Sequence, residues 1–283
     1  GKCFWMRVFE IPEGSRTSKG RAIQNLINIE QDDKVKAFIC TQDLKDEDYV
    51  NSHYVIMATK KGTVKKTSLE QYSRPRQNGI NAITVKDGDE LLEAKLTTGT
   101  SQIFLGLKSG KAIRFEESKT RPMGRNASGV RGVTLADDND EVVGMVSVHN
   151  FEDNILVVSE RGYGKRSNIE DYRITNRGGK GVKTISITEK TGGLVAIKNV
   201  TDTDDLMIIN KSGIAIRMGV ENLRVMGRAT QGVRLINLKD SDSIAAVAKV
   251  MKEDDPVDED DILDIEVKGE DGTAIDDTTD EKE

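Results

Sequence analysis

The sequence predicts an all-β body of the propeller or pinwheel type, and three observations predict it. Four apolar runs, "YVIMATKKG", "QIFLGLKSG", "NILVVSERG" and "DLMIINKSG", each end in a glycine, at Gly62, Gly110, Gly162 and Gly213, so the pattern recurs in steps of 48, 52 and 51 residues. A second glycine follows each, at Gly79, Gly129, Gly181 and Gly232, after 17, 19, 19 and 19 residues. Short β-type runs fill the spaces, with only 4 prolines in 283 residues and no long helical pattern. A period near fifty residues made of short strands is what a ring of blades writes into sequence, because each blade covers the apolar face of its neighbour. A two-layer sandwich would not repeat one internal glycine interval.

Taken in order, the first unit begins part-way: Gly1 aligns with the turn glycines, "CFWMRVFEIP" is a second strand, and Gly20 lies 19 residues on. Its first strand is missing, so this unit is expected to be incomplete or patched by another strand, and the sequence to be a fragment or a domain cut from a larger polypeptide. The five units occupy about 1–50, 51–100, 101–150, 151–200 and 201–250. In the last four, the glycine turn leads into a second strand with a cation four places on, Lys66, Arg114, Arg166 or Arg217, and Lys65 and Lys165 precede two of these. After the second glycine two further strands close each unit, as in "VKTISIT" then "GLVAIKNV", and "VRLINLK" then "SIAAVAKV". Each unit is thus four strands in sequence. "SLEQY" and "NIEDY" read as short helical turns. Tyr49, Tyr54, Tyr72, Tyr163 and Tyr172 read as strand packing, and the pairs Asp137-Asp138 and Asp204-Asp205 as solvated hairpin tips.

Charge divides the chain. The formal net charge is −6, with 32% charged, 36% hydrophobic and 4% aromatic residues. Residues 252–283 hold 3 Lys/Arg against 16 Asp/Glu, a net of −13, which leaves 39 against 32, or +7, for the body. The tail has too few apolar residues to build a core and is expected to be disordered and acidic, competing with polyanions for the body's cations. No apolar stretch approaches the ~20 residues of a membrane helix and no signal-peptide pattern opens the chain, so a cytoplasmic location and no membrane partner are expected. Cys3 and Cys40 lack CxxC spacing and His53 and His149 stand alone, which supports neither a zinc site nor a disulfide framework.

The positive charge of the body recurs in register. "TNRGGKGV", residues 175–182, packs Arg177, Gly178, Gly179 and Lys180 into a loop with no acidic residue, and glycine-freed N–H groups beside cations suit a phosphate nest. Four residues before the second glycine stand Arg16, Arg125, Arg177 and Arg228, while the second unit places Arg74 and Arg76 on either side of that register. Lys19 and Arg21 flank Gly20, and Arg131, Lys183 and Arg234 follow the later glycines. Equivalent positions of successive blades share one rim, so these cations, with Lys65, Lys66, Arg114, Lys165, Arg166 and Arg217, are the candidate polyanion track. Duplex DNA fits best: phosphate contacts of this kind position a duplex without reading its sequence, and the loops lack the aromatic platforms of single-strand binders. Arg177 and Lys180 are expected to be surface groups whose removal leaves the fold intact.

Catalytic chemistry finds no constellation. "GYGKRS" and "GGKG" fall short of the GxxxxGK[ST] phosphate loop, so no catalytic residue, metal ligand or cofactor is assigned to this chain. The competing class is a propeller that serves as a protein-interaction scaffold, which predicts apolar or mixed-charge rim loops instead.

"GTVKKTSLEQYSRPR", "RFEESKTRPMGRNASGVRGV", "GYGKR" and "VMGRATQGV" resemble, in order, the carboxy-terminal domain of DNA gyrase A, over residues 1 to 250. The resemblance implies a six-bladed β-pinwheel, of which about five blades are visible, that wraps duplex DNA around its rim. It implies partners in the remainder of gyrase A and in gyrase B, which together form an A2B2 type II DNA topoisomerase. That enzyme introduces negative supercoils, with ATP and Mg held by gyrase B. The resemblance also implies a bacterial, chromosome-associated location. The family's box reads Q-R-R-G-G-K-G; residues 175–181 keep its last five positions and change the first two. In the family the full box sits in the first blade, whereas this match lies in the fourth unit. The corresponding domain of topoisomerase IV, whose blades are degenerate or fewer, is the sister alternative.

Overall fold

The computed structural model describes residues 1–15, 18–30, 33–239 and 242–251; Arg16 and the acidic tail, 252–283, lie outside the described residues. The chain before 251 forms one unit of nearly all-β structure. Its first repeat holds β1 (Lys2–Cys3), followed by α1 (Glu47–Ser52), which leads into the second repeat and whose N-cap Asp46 accepts from the Tyr49 amide. The second repeat holds β2 (Tyr54–Thr59), β3 (Thr63–Ser68), β4 (Ile80–Asn81) and β5 (Leu91–Thr97). The third holds β6 (Gln102–Leu107), β7 (Lys111–Glu116), β8 (Val130–Arg131) and β9 (Val142–Val148). The fourth holds β10 (Asn154–Ser159), β11 (Tyr163–Asn168), β12 (Val182–Lys183) and β13 (Leu194–Val200). The fifth holds β14 (Asp204–Asn210), β15 (Ala215–Gly219), β16 (Val233–Arg234) and β17 (Ile244–Met251).

Each of the last four repeats is four strands in sequence, as expected, whereas the strand expected over "CFWMRVFEIP" in the first is paired only at Lys2–Cys3 and gives way to a 3₁₀ turn at Val8–Glu10; and a sheet is not one repeat. The sheets run β5-β2-β3-β8, β9-β6-β7-β12 and β13-β10-β11-β16, so the third strand of every repeat leaves its own unit and pairs with the second strand of the unit before. β4 likewise pairs with β1, which patches the incomplete first unit. The sequence reading of "VKTISIT" as a full strand closing its own blade is corrected accordingly: only Val182–Lys183 is paired, and its partner is Ala112–Lys111. The physical reason lies in the second glycine. Gly129 holds φ +95, and a Cβ there would stand 2.5 Å from the Val64 carbonyl oxygen, so only glycine lets the loop close onto the preceding blade. "SLEQY" and "NIEDY" contain 3₁₀ helices at Leu69–Tyr72 and Ile169–Asp171.

The apolar runs of the second, third and fourth repeats are continuous because both faces of their sheets are covered. Val55 and Met57 point into one cluster with Leu69, Tyr72 and Ile83, whereas Ile56 and Ala58 point into another with Ile103, Leu105 and Leu107. The alternation repeats down the chain: Ile155 and Val157 pack with Phe104, Val146 and Tyr172, while Leu156 and Val158 pack with Leu206, Ile208 and Val247. Each interior therefore lies between two successive blades, and side chains that alternate along a strand serve different cores. In the first repeat Val8, Phe9 and Phe38 stay exposed. The pair Asp204-Asp205 corrects a further expectation. Both residues lie in β14 and are buried, Asp204 accepting from the Thr201 amide at 2.7 Å and Asp205 from Arg217 Nε at 2.7 Å, where a solvated tip was expected.

Candidate nucleic-acid interface

β9 packs against β5 and β13, so the closing strands of successive repeats, β5, β9 and β13, adjoin one another at the inner edge. The transferred strands β8, β12 and β16 form the opposite, outer edge. The cationic loops lead into these outer strands. They are joined from blade to blade by one repeated backbone hydrogen bond: Thr84 N donates to Ala127 O at 3.3 Å, Thr134 N to Gly179 O at 2.9 Å, and Ser186 N to Thr230 O at 3.1 Å. The donor lies five residues past its own second glycine and the acceptor two residues before the next. The loops are thus one continuous band.

Within the band the recurrent loop arginine has a second task. Arg177 donates from Nε to Lys119 O at 3.0 Å and from a terminal nitrogen to Arg131 O at 3.1 Å, both on the preceding unit. Arg228 does the same with Asp171 O at 2.9 Å and Lys183 O at 2.8 Å. The Gly178 amide is not left open as a nest would require, because it donates to Gly132 O at 2.6 Å. The expectation that the "TNRGGKGV" loop is an open cradle whose arginine is free of the fold is therefore corrected: Arg177 and Arg228 fasten blade to blade. Gly179 and Lys180 are exposed.

Apart from Arg217, the cations on the second strands, expected on the track, are instead buried between blades. Lys66 Nζ pairs with the fully buried Glu117 at 2.9 Å, whose other contacts are Thr97 Oγ1 and the Ser101 amide. Arg114 donates to Ile169 O at 2.7 Å and Tyr172 O at 2.8 Å, and Arg166 to Leu223 O, with Asp202 at its far side. In each case the cation meets the 3₁₀ turn of the next unit or the residue that ends it, Lys66 at the Glu117 carboxylate and the two arginines at backbone carbonyls. Arg217, in the last described repeat, pairs with Asp205 of its own sheet. Lys65 Nζ donates to Ala82 O and, at 2.5 Å, to Arg125 O; Lys165 Nζ donates to Gly227 O at 2.6 Å. Burial, reinforced by Arg125 and Arg228 respectively, pulls both ammonium groups down to about 8.

What remains at the outer edge is an exposed set. Arg74, Arg76, Arg131, Lys180 and Lys183 are exposed, and Arg125 is half-buried with its amide held by Gln71 Oε1 at 3.1 Å. Arg234 is exposed and leans on Tyr163, donating to its hydroxyl at 2.9 and 3.2 Å, and this guanidinium lowers the phenol's pKa. Lys19 and Arg21 are exposed in the first repeat, where Gly20 and its neighbours pair with no described strand. Sequence reasoning missed Arg121, Arg173 and Arg224, which are exposed on the same edge. Their signal was available: each stands eight residues before its second glycine.

Blades that exchange their outer strands and carry a joined cationic band on that edge define a strand-exchanged class of β-propeller. The chain belongs to the family described as "DNA gyrase C-terminal domain, beta-propeller", whose model matches residues 1–42, 53–98, 108–149, 153–201 and 204–251. It is 44% identical over 274 residues to the A subunit of DNA gyrase from Staphylococcus aureus strain MRSA252, and 43% to that of strain NCTC 8325, covering 96% of this chain. The chain spans 30% of the length of those relatives. Among solved structures, a DNA gyrase A C-terminal domain superposes with a TM-score of 0.75 at 25% identity, over 89% of this chain and 80% of that one. The C-terminal domain of a DNA topoisomerase IV shares the fold, with a TM-score of 0.80 at 23% identity over 95% of this chain and 80% of that one.

Proposed function

We propose that this chain binds duplex DNA along its outer edge, bends it, and thereby serves as the wrapping domain of DNA gyrase A. The observation that carries the reading is the loop band: one backbone hydrogen bond repeated between successive loops, with exposed cations at recurring positions on it. A duplex that follows several blades must curve, at a cost on the order of 1–6 kcal/mol for a 20–30 bp site, so the attraction has to be spread over blades rather than concentrated in one. Cations joined into a band spread it. Their contacts go to phosphates, so sequence preference is weak.

In this reading the chain itself does no bond chemistry. Strand cleavage belongs to the rest of gyrase A, ATP and Mg to gyrase B, and negative supercoiling to their A2B2 assembly in the bacterial cytoplasm. The 44% identity to the gyrase relative, together with the family match, favours gyrase over topoisomerase IV as the parent enzyme.

The test is the affinity for linear duplex of mixed sequence as salt is raised. Neutralising six to ten phosphates predicts a loss of about 10³–10⁵ between 50 and 200 mM. Equal binding across that range supports a protein-interaction scaffold instead.

A further inference from the structure

Arg121, Arg173 and Arg224 repeat at one place in three successive units, are exposed, and their side chains make no hydrogen bond, ion pair or ring contact with any described residue. Their backbone is fixed rather than loose. Each immediately precedes the residue that bridges to the preceding blade's buried cation, in the pairs Pro122–Lys66, Ile174–Arg114 and Val225–Arg166. On those same strands, three residues earlier, Thr63, Lys111 and Tyr163 pair with Arg131, Lys183 and Arg234. Because the bridges are parallel, each of the three arginines stands abreast of the residue before that cation, two residues from these pairs, and two residues of extended chain span about 7 Å. The outer edge therefore carries two rows of cations about that far apart, one on each side of the loop band.

We propose that Arg121, Arg173 and Arg224 are a second phosphate-contacting rail, so that the duplex is held by both of its backbones across one groove rather than along a single strand. This rests on the DNA-binding reading above. The spacing lies between the ~6 Å and ~12 Å widths of the two B-DNA grooves, and two arginine side chains can make up the difference at either. The division of labour follows from hydrogen bonding. Arg177 and Arg228 have donors committed to carbonyls of the neighbouring blade, whereas the three rail arginines keep all theirs for a ligand.

The experiment is the slope of log affinity against log salt for a linear duplex of mixed sequence, measured on the whole chain. Replacing all three, Arg121→Gln, Arg173→Gln and Arg224→Gln, is expected to lower the slope by roughly three, and each single replacement by roughly one. The melting temperature should not move. The matching Arg→Lys triple keeps the wild-type slope because the charge is retained, as does the control Lys34→Gln with Lys45→Gln on exposed cations of the first repeat. A Gln triple with the wild-type slope overturns the rail while leaving the DNA reading standing. An unsubstituted chain that shows no salt-dependent duplex binding overturns both.

Discussion

At the scale of single residues, two neighbours in one loop behave differently. Arg177 ties Lys119 and Arg131 carbonyls on the preceding blade, whereas Lys180 is exposed and has no described partner. Arg177→Ala frees two carbonyls near water, which rehydrates them in part, so the expected loss of stability is about 1–2 kcal/mol. For a domain of this size that lowers the melting point by several degrees. Lys180→Ala should stay within about 0.5 kcal/mol of neutral, and thermal melts of the two single variants check both. Lys165 yields a prediction in pH. Its folded-state pKa, about 8, lies below the ~10.4 of an unfolded lysine, so between those values the unfolded chain binds more protons and stability rises with pH. Urea unfolding of wild type and Lys165→Met at pH 7.5 and pH 10 should show the difference shift in favour of wild type at the higher pH. An unchanged difference would mean that this ammonium is not desolvated. The cations themselves were legible as a repeat, but their burial was not. The carbonyls that Arg114 meets at Ile169 and Tyr172 lie 55 and 58 residues away, and nothing local distinguishes Arg114 from a surface arginine.

At the scale of elements, the apolar runs marked the first strand of each unit, because a strand buried on both faces reads as an unbroken apolar run, and the glycine turn placed the second strand, "TVKKTS" or "YGKRSN", whose own residues carry no such run. The two-residue strands were harder. "VR" and "VK" carry almost no propensity signal, and what selects their partner is the turn before them. Gly129, at φ +95 with the Val64 carbonyl 2.5 Å from where a Cβ would stand, makes that dependence testable. In Gly129→Ala the backbone must leave this conformation, at about 1–3 kcal/mol, and Val130–Arg131 should detach from Val64–Thr63. Amide exchange in β3 and β8 should accelerate while β10 and β14 keep their protection. Uniform protection in the variant would show that the pairing does not depend on the glycine. Because Arg131 sits on β8, the same variant should weaken duplex binding.

At the scale of the whole molecule, strand exchange decides how the blades stand or fall. In an array whose repeats touch only through side chains, a terminal repeat can be removed and its neighbour keeps its sheet. Here the fourth blade takes its outer strand, Val233–Arg234, from the fifth repeat, and its Leu156, Val158, Ala196 and Val200 share a core with Leu206, Ile208, Ile236 and Val247. Arg166 and Lys165 would also lose Leu223 and Gly227 carbonyls, which leaves two cations placed for burial without their acceptors. A chain cut after Val200, at the boundary the fifty-residue period suggests, therefore strips the fourth blade of an outer strand that the shortened chain does not contain. Leaving buried charges unpaired is among the few mechanisms that exceed ordinary single-site losses, and it comes together with an exposed apolar face. The expected outcome is that residues 1–200 aggregate or melt far below residues 1–251, with the loss reaching β10 and β11 rather than stopping at the cut. Hydrogen exchange on the shortened chain checks this. If β10 and β11 keep the protection they have in the longer chain, the blades are independent and the exchanged strand is only an ornament of the edge.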